Sequence, residues 1–287
     1  MLPFAGNYSK LLSHERGTSA PFISGDTFRA HADHVFDETT PSFDPTQVKY
    51  GDLVFVKTDW EHLERFFTTY HPKISSPYIL LTHNSDHAAP GPLGSYLDDP
   101  KLLAWFGQNV ENYSHPKLHP IPIGLANKCW VHGNPDIFNA YLPLSTNEKR
   151  PFLCYLNFSP STYPKERPYV WDFFSSQPWV LVSSVKGLSD YLKDLSHSKF
   201  VLSPRGNGLD CHRTWEALLL GAIPIVRTST LDPLYTDLPV LIIENWETLN
   251  ESFLNHQYEI MKLKNTNREK LFISYWINYI RSLAKTN

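Results

Sequence analysis

Short apolar runs alternate with longer amphipathic segments along most of the chain. The runs at residues 53–56, 78–81 and 152–156 are too short for helices, so they predict buried strands. Residues 60–70 and 188–195 carry apolar side chains at helical spacing and predict amphipathic helices. Strands that alternate with helices are typical of parallel sheets, so the sequence predicts an α/β fold.

Two further helices are predicted in the first half of the chain, at residues 27–36 and 97–106. Around the first of them, His31, His34 and Asp37 would lie three residues apart on one face, a spacing that suits a metal ion. Apolar residues of the same segment supply a competing stripe, and no Asp-x-Asp motif follows a predicted strand. The sequence therefore predicts no metal site.

The 287 residues exceed what one typical hydrophobic core supports, which indicates two domains. Residues 127–150 lack periodicity and contain loop-forming glycine, asparagine and proline, so we place a linker there. This predicts an N-terminal α/β domain at residues 1–135 and a second α/β domain at residues 150–265. Residues 266–287 are predicted to form a C-terminal helix with one apolar side, and a membrane-surface helix is the alternative.

One stretch of the second half combines a strand, two glycines and a helix. The apolar run at residues 200–202 predicts a strand, and residues 204–210 form the segment that we call the glycine loop. Asp210 is predicted to cap a helix that ends at Gly221, and residues 223–226 restore a strand. Such a βαβ unit places its loop at the carboxyl edge of the sheet, where open α/β sheets bind ligands.

Polar side chains of this unit predict an anionic ligand. Arg205 lies in the glycine loop, and Arg213 and Glu216 share one face of the helix. Two guanidiniums beside a helix N-terminus suit a diphosphate, and a glutamate suits the hydroxyls of a ribose. Arg167, which follows another predicted strand, is a further predicted phosphate contact. The remaining predicted donor contacts are Gly206, Asn207, Gly208, Asp210 and Thr214. The alternative is an ordinary surface ion pair between the helical arginine and glutamate.

This stretch resembles the donor-binding segment of the exostosin-like group of GT-B glycosyltransferases. In that group an Arg-x-x-Glu-Ala-Leu helix leads into Gly-x-x-Pro-Ile-Val, and residues 213–218 and 221–226 match both parts. The resemblance is strong over about thirty residues and diffuse elsewhere. It implies that Glu216 binds the ribose and that Arg205 and Arg213 bind the pyrophosphate of a sugar nucleotide.

The resemblance also implies an architecture and a reaction. The expected fold is GT-B-like, with two Rossmann-like βα domains that face a cleft and a C-terminal helix that returns to the first domain. The expected donor is a nucleotide sugar held by the second domain, and the expected acceptor is a glycan or glycoconjugate held by the first. The reaction is expected to invert the anomeric centre, without a metal and without a tightly bound cofactor.

An inverting transfer needs a base that takes the proton of the acceptor hydroxyl. The candidates are Asp86, His83 and Asp33, in that order. Asp86 comes first because it lies in a polar segment that directly follows a predicted strand of the acceptor half. The alternative is that this aspartate only caps the next segment of the loop.

Composition narrows the partners and the compartment. The formal net charge of −3, from 26 basic and 29 acidic residues, gives no extended basic field of the kind that nucleic-acid binding needs. Three widely spaced cysteines suggest neither a disulfide framework nor a zinc site. The N-terminal residues do not resemble a secretion signal. We therefore expect a soluble cytoplasmic protein, with peripheral membrane contact as the alternative.

The sequence thus predicts a glycosyltransferase that uses a nucleotide sugar. The main alternative is a nucleotide- or sugar-binding protein of the same fold without turnover. A second alternative is a GT-B epimerase or phosphorylase. A P-loop enzyme is disfavoured because the motif Gly-x-x-x-x-Gly-Lys-Ser/Thr is absent, and the dinucleotide fingerprint Gly-x-Gly-x-x-Gly is absent from the glycine loop.

Overall fold

The computed structural model describes residues 16–142, 150–184, 186–264 and 266–284. Within these residues the strands form two parallel sheets of five strands each. The first sheet has the sequential order β1 (His34–Phe36), β2 (Leu53–Lys57), β3 (Tyr78–His83), β4 (Leu102–Gly107) and β5 (Leu118–Pro120). The second contains β6 (Phe152–Leu156), β7 (Val180–Val182), β8 (Ser198–Leu202), β9 (Ile223–Arg227) and β10 (Leu241–Ile243). The predicted fold class, α/β with two Rossmann-like βα domains, is confirmed.

Helices connect and cover the strands. They are α1 (Gly25–Ala30), α2 (Trp60–Arg65), α3 (Pro135–Tyr141), α4 (Arg167–Ser175), α5 (Leu188–Ser196), α6 (His212–Leu219), α7 (Glu251–Met261) and α8 (Ile273–Leu283). A π-helical turn, Phe66–Tyr70, continues α2. Short 3-10 helices lie at Pro45–Gln47, His71–Lys73, Gly91–Asp98, Pro160–Thr162, Asp232–Tyr235, Trp246–Thr248 and Arg268–Leu271.

The strand order of the second sheet determines where its ligand crevice lies. The order is β7-β6-β8-β9-β10, and every pairing is parallel. The connections from β6 and from β8 therefore run to opposite sides of the sheet, which makes the space between these two strands the topological switch point. Open α/β sheets bind ligands outside the carboxyl ends of the strands at such a point. The glycine loop follows β8 directly and lies there.

Helix α8 packs on the first domain, although it follows the second domain in the chain. The ring of Tyr279 meets the ring of Phe106 on β4 edge to face, with centroids 5.7 Å apart. The neighbouring Trp105 faces Phe67 instead, at 5.2 Å. Because successive strand residues point to opposite faces, α8 covers one face of the first sheet and the α2 region covers the other. An amide hydrogen bond from Ile273 to the carbonyl of Pro21, 3.0 Å long, fixes the start of α8.

Two predicted helices of the first half are wrong. The helix predicted at residues 27–36 ends at Ala30, and its last residues form β1. His34 therefore lies on a strand, with its Nε2 atom 2.8 Å from Asp52, and the proposed face of metal ligands does not exist. The helix predicted at residues 97–106 is replaced by a 3-10 helix and by β4. A central parallel strand is apolar on both faces, so its pattern is not distinguishable from that of a buried helix.

The predicted linker contains a helix. In the chain, helix α3 lies between the last strand of the first sheet and the first strand of the second. It contacts α5, and the hydroxyls of Tyr141 on α3 and Ser189 on α5 are 2.6 Å apart. Residues 143–149 of the predicted linker lie outside the described residues. Residues 1–15, on which the expectation about a secretion signal was based, lie outside them too. In the part of the chain that is described, no helix has the length and apolar character needed to span a bilayer.

Loss of a buried side chain of α8 is expected to destabilise the first domain, because α8 packs on it. Trp276 on α8 is 4% exposed, and its indole Nε1 donates to the carbonyl of Lys270 at 2.9 Å. Trp276→Ala should lower the free energy of unfolding by about 3–5 kcal/mol, measured by urea denaturation. The control is Trp60→Ala, because Trp60 is 45% exposed and its loss should cost less than about 1 kcal/mol. Equal losses for the two variants would contradict the packing described here.

Candidate functional site

Two cavities lie on either side of the start of α6. The first-domain cavity has a volume of about 670 Å³ and is lined in part by Asn84, Gln108 and Trp130. The second-domain cavity, about 530 Å³, lies at the switch point and includes the start of α6 and the glycine loop. Asp86, Ile123 and His212 line both, so the two cavities adjoin at these three residues. A ligand in one would thus approach a ligand in the other at these three residues.

Arg213 offers an unused donor to the second-domain cavity. Its Nε atom donates to the carbonyl oxygen of Asn157 at 2.9 Å, and its guanidinium lies over the ring of Phe158. Its Nη1 atom is buried and has no hydrogen-bond partner among the described residues. A buried donor without a partner is costly unless a ligand or water satisfies it. Arg213 lines the second-domain cavity, so the protein leaves a guanidinium donor unsatisfied in the wall of that cavity.

Glu216 lies one turn further along α6 and lines the same cavity. Its carboxylate is buried and accepts a hydrogen bond from the hydroxyl of Tyr191 at 2.7 Å. Burial raises the pKa of Glu216, while Tyr191, Arg213 and His132 act in the opposite direction. Within the described residues no ion pair joins Glu216 to Arg213, so the alternative of an ordinary surface ion pair does not describe this site.

Arg167 holds the glycine loop in place through hydrogen bonds to the loop backbone. Its Nε donates to the carbonyl of Arg205 at 2.8 Å and its Nη2 to the carbonyl of Pro204 at 3.3 Å. Its Nη1 donates to the carbonyl of Ser159, so all three nitrogens are bonded to backbone. Gly206 lies so close that a Cβ atom there would be 3.2 Å from Nη2. The side chain lines the cavity wall, but its geometry is that of a loop support rather than of a free phosphate ligand.

Arg205 lines a different cavity from Arg213, whereas the sequence predicts that the two arginines bind one diphosphate. Its Nη1 donates to the carboxylate of Glu111, a first-domain residue, at 2.6 Å. Its guanidinium also lies over the ring of Tyr163, 4.8 Å from the centroid. These partners belong to a separate cavity on the other side of the glycine loop, which Thr214 also lines. Sequence spacing could not reveal on which side of the loop the side chain leaves the backbone.

Asp210 is not the cap of α6 that the sequence predicts. The residue before the helix is Cys211, and Asp210 precedes it. The buried Asp210 carboxylate accepts from the amides of Ile123 and Cys211, each at 2.8 Å, and from Nε1 of Trp215 at 2.7 Å. Ile123 belongs to the first domain, so this carboxylate joins the two domains.

A second link between the domains lies beside the first. The backbone amide of Asp210 donates to Oδ1 of Asn109 at 2.9 Å, and Nδ2 of Asn109 contacts the carbonyl oxygens of Ser85 and Asp86 at 3.4 Å. Gly208 packs directly against Asn109, because a Cβ atom at that glycine would be 2.5 Å from Nδ2. The glycine thus serves a close approach between domains. Asn207 adds a contact from its Nδ2 to Oδ2 of Asp86 at 3.3 Å.

The three predicted bases differ in position. Asp86 is exposed and lines both cavities. His83 is buried, its Nδ1 accepts from the amide of Asn84 at 2.7 Å, and its Nε2 donates to the carbonyl of Pro122 at 3.1 Å. Burial lowers the pKa of His83 to about 4, and neither ring nitrogen is free for a substrate. Asp33 lines neither cavity, because its carboxylate accepts from the amide of Leu53 and pairs with Arg281 of α8.

Several residues that line the cavities were not predicted. His212 and Asn157 carried a usable signal, since the first adjoins Arg213 and the second ends a strand at the ligand-binding edge. Tyr191 lies on a predicted helix whose orientation the sequence does not give. His132 and Trp130 lie in the segment without periodicity, where no sequence pattern indicated a site. Among the described residues, no group of three or more His, Cys, Asp or Glu side chains is arranged to hold a metal ion.

Comparison with known proteins supports a glycosyltransferase-like function at a coarse level. Residues 144–286 match the family model described as the RXYLT1 C-terminal domain. The match does not name the exostosin-like group, so that part of the resemblance stays a prediction. The match covers the second domain and α8, which contain Arg213 and Glu216. A comparison with curated proteins found no match.

Solved structures show only distant similarity. UDP-GlcNAc 2-epimerase from Methanocaldococcus jannaschii is 12% identical, with 82% of this chain and 77% of that chain covered and a TM-score of 0.39. A GtfA/B complex is 12% identical, with 84% and 56% covered and a TM-score of 0.36. The catalytic domain of starch synthase IV from Arabidopsis thaliana, bound to ADP and acarbose, is 14% identical, with 82% and 69% covered and a TM-score of 0.35. Because these scores are below 0.5, the fold assignment depends on the two sheets themselves.

The stability of the domain junction is expected to depend on pH through Asp210. Burial raises the pKa of Asp210 to about 6, above its ordinary value, although three N–H donors favour the charged form. The folded state then binds the proton more tightly than the unfolded state, so this group costs stability as the pH rises from about 4 to about 6. Asp210→Asn cannot titrate. Its deficit in unfolding free energy relative to wild type should therefore be larger at pH 4 than at pH 7, by up to about 3 kcal/mol.

The measurement is urea denaturation of both proteins across this pH range. Asp172→Asn serves as the control, because it removes one carboxylate from an exposed position of α4 and should leave the unfolding free energy close to that of wild type. A deficit of Asp210→Asn that grows as the pH rises would show that the three N–H donors outweigh burial, and would contradict the raised pKa.

Proposed function

We propose that this protein is a glycosyltransferase that moves a sugar from a nucleotide-sugar donor to a glycan or glycoconjugate acceptor. The observation that carries the proposal is the second-domain cavity at the switch point of the sheet, which is lined by Arg213, whose Nη1 has no partner in the described part of the chain, and by Glu216, whose carboxylate is buried. The family match of residues 144–286 supports the same reaction class.

The donor would lie along the first turns of α6. Arg213 and the positive end of the helix dipole at the start of α6 would bind the diphosphate, because both favour negative charge. Glu216 would accept hydrogen bonds from the two ribose hydroxyls, since an ionised carboxylate is an acceptor with two oxygens. Tyr191 holds that carboxylate in place through its hydroxyl. The sugar would then extend toward the residues that the two cavities share.

The acceptor would occupy the first-domain cavity. Its wall carries the amide side chains of Asn84, Gln108 and Asn127. Asn84 and Asn127 hydrogen-bond to each other and to Asp26, and each of the three amides has at least one further N–H and one further lone pair for a ligand. Trp130 lines the same cavity and is 44% exposed, so its indole is available to contact the apolar face of a sugar ring. Amide groups beside an exposed aromatic ring suit a ligand that is rich in hydroxyls, which favours a glycan.

The chain's own residues supply the charge stabilisation that the reaction needs. Negative charge develops on the departing diphosphate, and a positioned guanidinium with helix N–H groups lowers the energy of that charge. Arg213 is already fixed by the carbonyl of Asn157, so little reorganisation is required when the charge appears. Inversion at the anomeric centre, metal-independent transfer and the absence of a tightly bound cofactor are parts of the proposal that follow the sequence resemblance.

Binding of nucleoside diphosphates tests the donor site. Isothermal calorimetry with UDP, GDP, ADP and CDP should identify at least one ligand of the wild-type protein. Arg213→Ala and Glu216→Ala should each weaken that ligand by about 10- to 100-fold, because each removes hydrogen bonds that involve a charged group. Arg205→Ala should change the dissociation constant little, since Arg205 faces the separate cavity and pairs with Glu111.

The control for charge and folding is Arg65→Ala, which removes an exposed arginine of the first domain and should leave binding unchanged. Thermal melting of each variant without ligand checks that it is folded. If no diphosphate binds, or if binding survives both Arg213→Ala and Glu216→Ala, the donor site is not where we propose it. If a diphosphate binds but no sugar nucleotide is turned over, the protein is a binding protein rather than a transferase.

A further inference from the structure

His212 occupies the point where the two cavities meet. It is the first residue of α6, and it lines the first-domain and the second-domain cavity alike. Its sequence neighbour Arg213 is the proposed diphosphate ligand. A side chain at this place would therefore lie between the anomeric carbon of a bound donor and the hydroxyl of a bound acceptor.

A backbone carbonyl fixes the protonation pattern of the His212 ring. Nδ1 lies 2.8 Å from the carbonyl oxygen of Gly124. A carbonyl oxygen only accepts hydrogen bonds, so Nδ1 must carry the proton. In the neutral ring Nε2 then has a free lone pair, and no group of the described residues forms a hydrogen bond with it. The first domain thus orients the ring and leaves a proton acceptor at the cavity junction.

The groups around the ring also favour its neutral form. Burial lowers the pKa of His212, and the positive charge of Arg213 acts in the same direction. The carboxylate of Asp86, from the loop after β3, and the carbonyl of Gly124 raise it. His83 from the end of β3 and His132 from the segment before α3 also face the ring, and burial lowers the pKa of both. The imidazole is therefore biased toward its neutral form, in which Nε2 carries a lone pair.

We propose that His212 is the general base that takes the proton of the acceptor hydroxyl during glycosyl transfer. This inference rests on the proposed function. The acceptor oxygen forms a bond to the anomeric carbon while the bond from that carbon to the diphosphate oxygen breaks. The electron pair of the broken bond leaves with the diphosphate, beside Arg213. The hydroxyl proton moves to Nε2 of His212, which later releases it to water.

Asp86 is the competing base, because it also lines both cavities. Its side chain is exposed, however, and its Oδ2 contacts Nδ2 of Asn207. Nothing comparable to the carbonyl of Gly124 fixes its orientation among the described residues. A positioned group transfers a proton more effectively than one whose position varies. The geometry thus assigns the proton transfer to His212 and leaves Asp86 as a neighbouring charge.

The test compares His212→Asn with Asp86→Asn and with the control His87→Asn. The asparagine amide at position 212 can still donate to the carbonyl of Gly124, but it has no atom equivalent to Nε2. His87 is an exposed histidine in the same loop as Asp86 and hydrogen-bonds to Ser85, so its loss removes an imidazole outside the cavities. The substrates are UDP- and GDP-sugars with 4-nitrophenyl glycosides or water as acceptor, and the readouts are kcat, the calorimetric dissociation constant of UDP or GDP, and the pH profile.

We expect His212→Asn to lower kcat by about 100-fold or more, as loss of a general base does, with diphosphate binding changed less than twofold. Asp86→Asn should lower kcat by less than about tenfold, and His87→Asn should match wild type. The acid limb of the wild-type pH profile should lie below about pH 6.5 and should be absent from the residual rate of His212→Asn.

Two results would overturn the assignment while the transferase function stands. One is turnover by His212→Asn within threefold of wild type. The other is a larger loss of kcat in Asp86→Asn than in His212→Asn, which would make Asp86 the base. Wild-type protein that binds a diphosphate but turns over no sugar nucleotide would remove the transferase function and this base together.

Discussion

The carboxylate of Asp210 is the interaction on which the arrangement of the site depends. It accepts three N–H groups, one of them from Ile123 in the other domain. A buried carboxylate is stable only when such donors replace the water it has lost. Two donors, Cys211 and Trp215, lie at the start of α6, and the third, Ile123, lies in the first domain, so the carboxylate is fully satisfied only when the two domains are together. Cavity geometry and domain docking are therefore determined by the same group.

The three arginines near the glycine loop show how one residue type can take different roles at one edge of a sheet. Arg167 uses its nitrogens on backbone carbonyls, and Arg205 pairs with a carboxylate of the other domain. Arg205 at Nε and Arg213 at Nη1 each keep one buried nitrogen without a partner among the described residues. The two differ in the cavity that they line, since Arg213 lines the second-domain cavity and Arg205 the separate one.

The local pattern of apolar residues was sufficient to predict most of the secondary structure of the second domain. Strand β6 and the strand–loop–helix–strand unit around the glycine loop lie where the sequence placed them, because short apolar runs between helices have few alternatives. The prediction failed at β4, a strand whose two faces are both covered. It also failed for Asp210, since the sequence indicates a local cap while the carboxylate binds an amide of the other domain.

The sequence predicted which part of the fold holds the candidate site, but not which atoms of the site contact each other. The sequence located the switch point and therefore the surroundings of Arg213 and Glu216. It did not reveal the direction of Arg205, the use of both ring nitrogens of His83 by the backbone, or the approach of Gly124 to His212. Each of these depends on the docking of two domains, and no single segment carries that information.

The position of α8 has a consequence for how the chain can be divided. The region that matches a family model includes α8, yet this helix packs on β4 of the first domain and its Arg281 pairs with Asp33 there. The segment recognisable as a family unit is therefore not a folding unit. A fragment cut before residue 144 would leave one face of the first sheet uncovered, and the complementary fragment would carry an apolar helix without its partner. If evolution exchanged the second half of the chain alone, its α8 would have to pack on a different first domain.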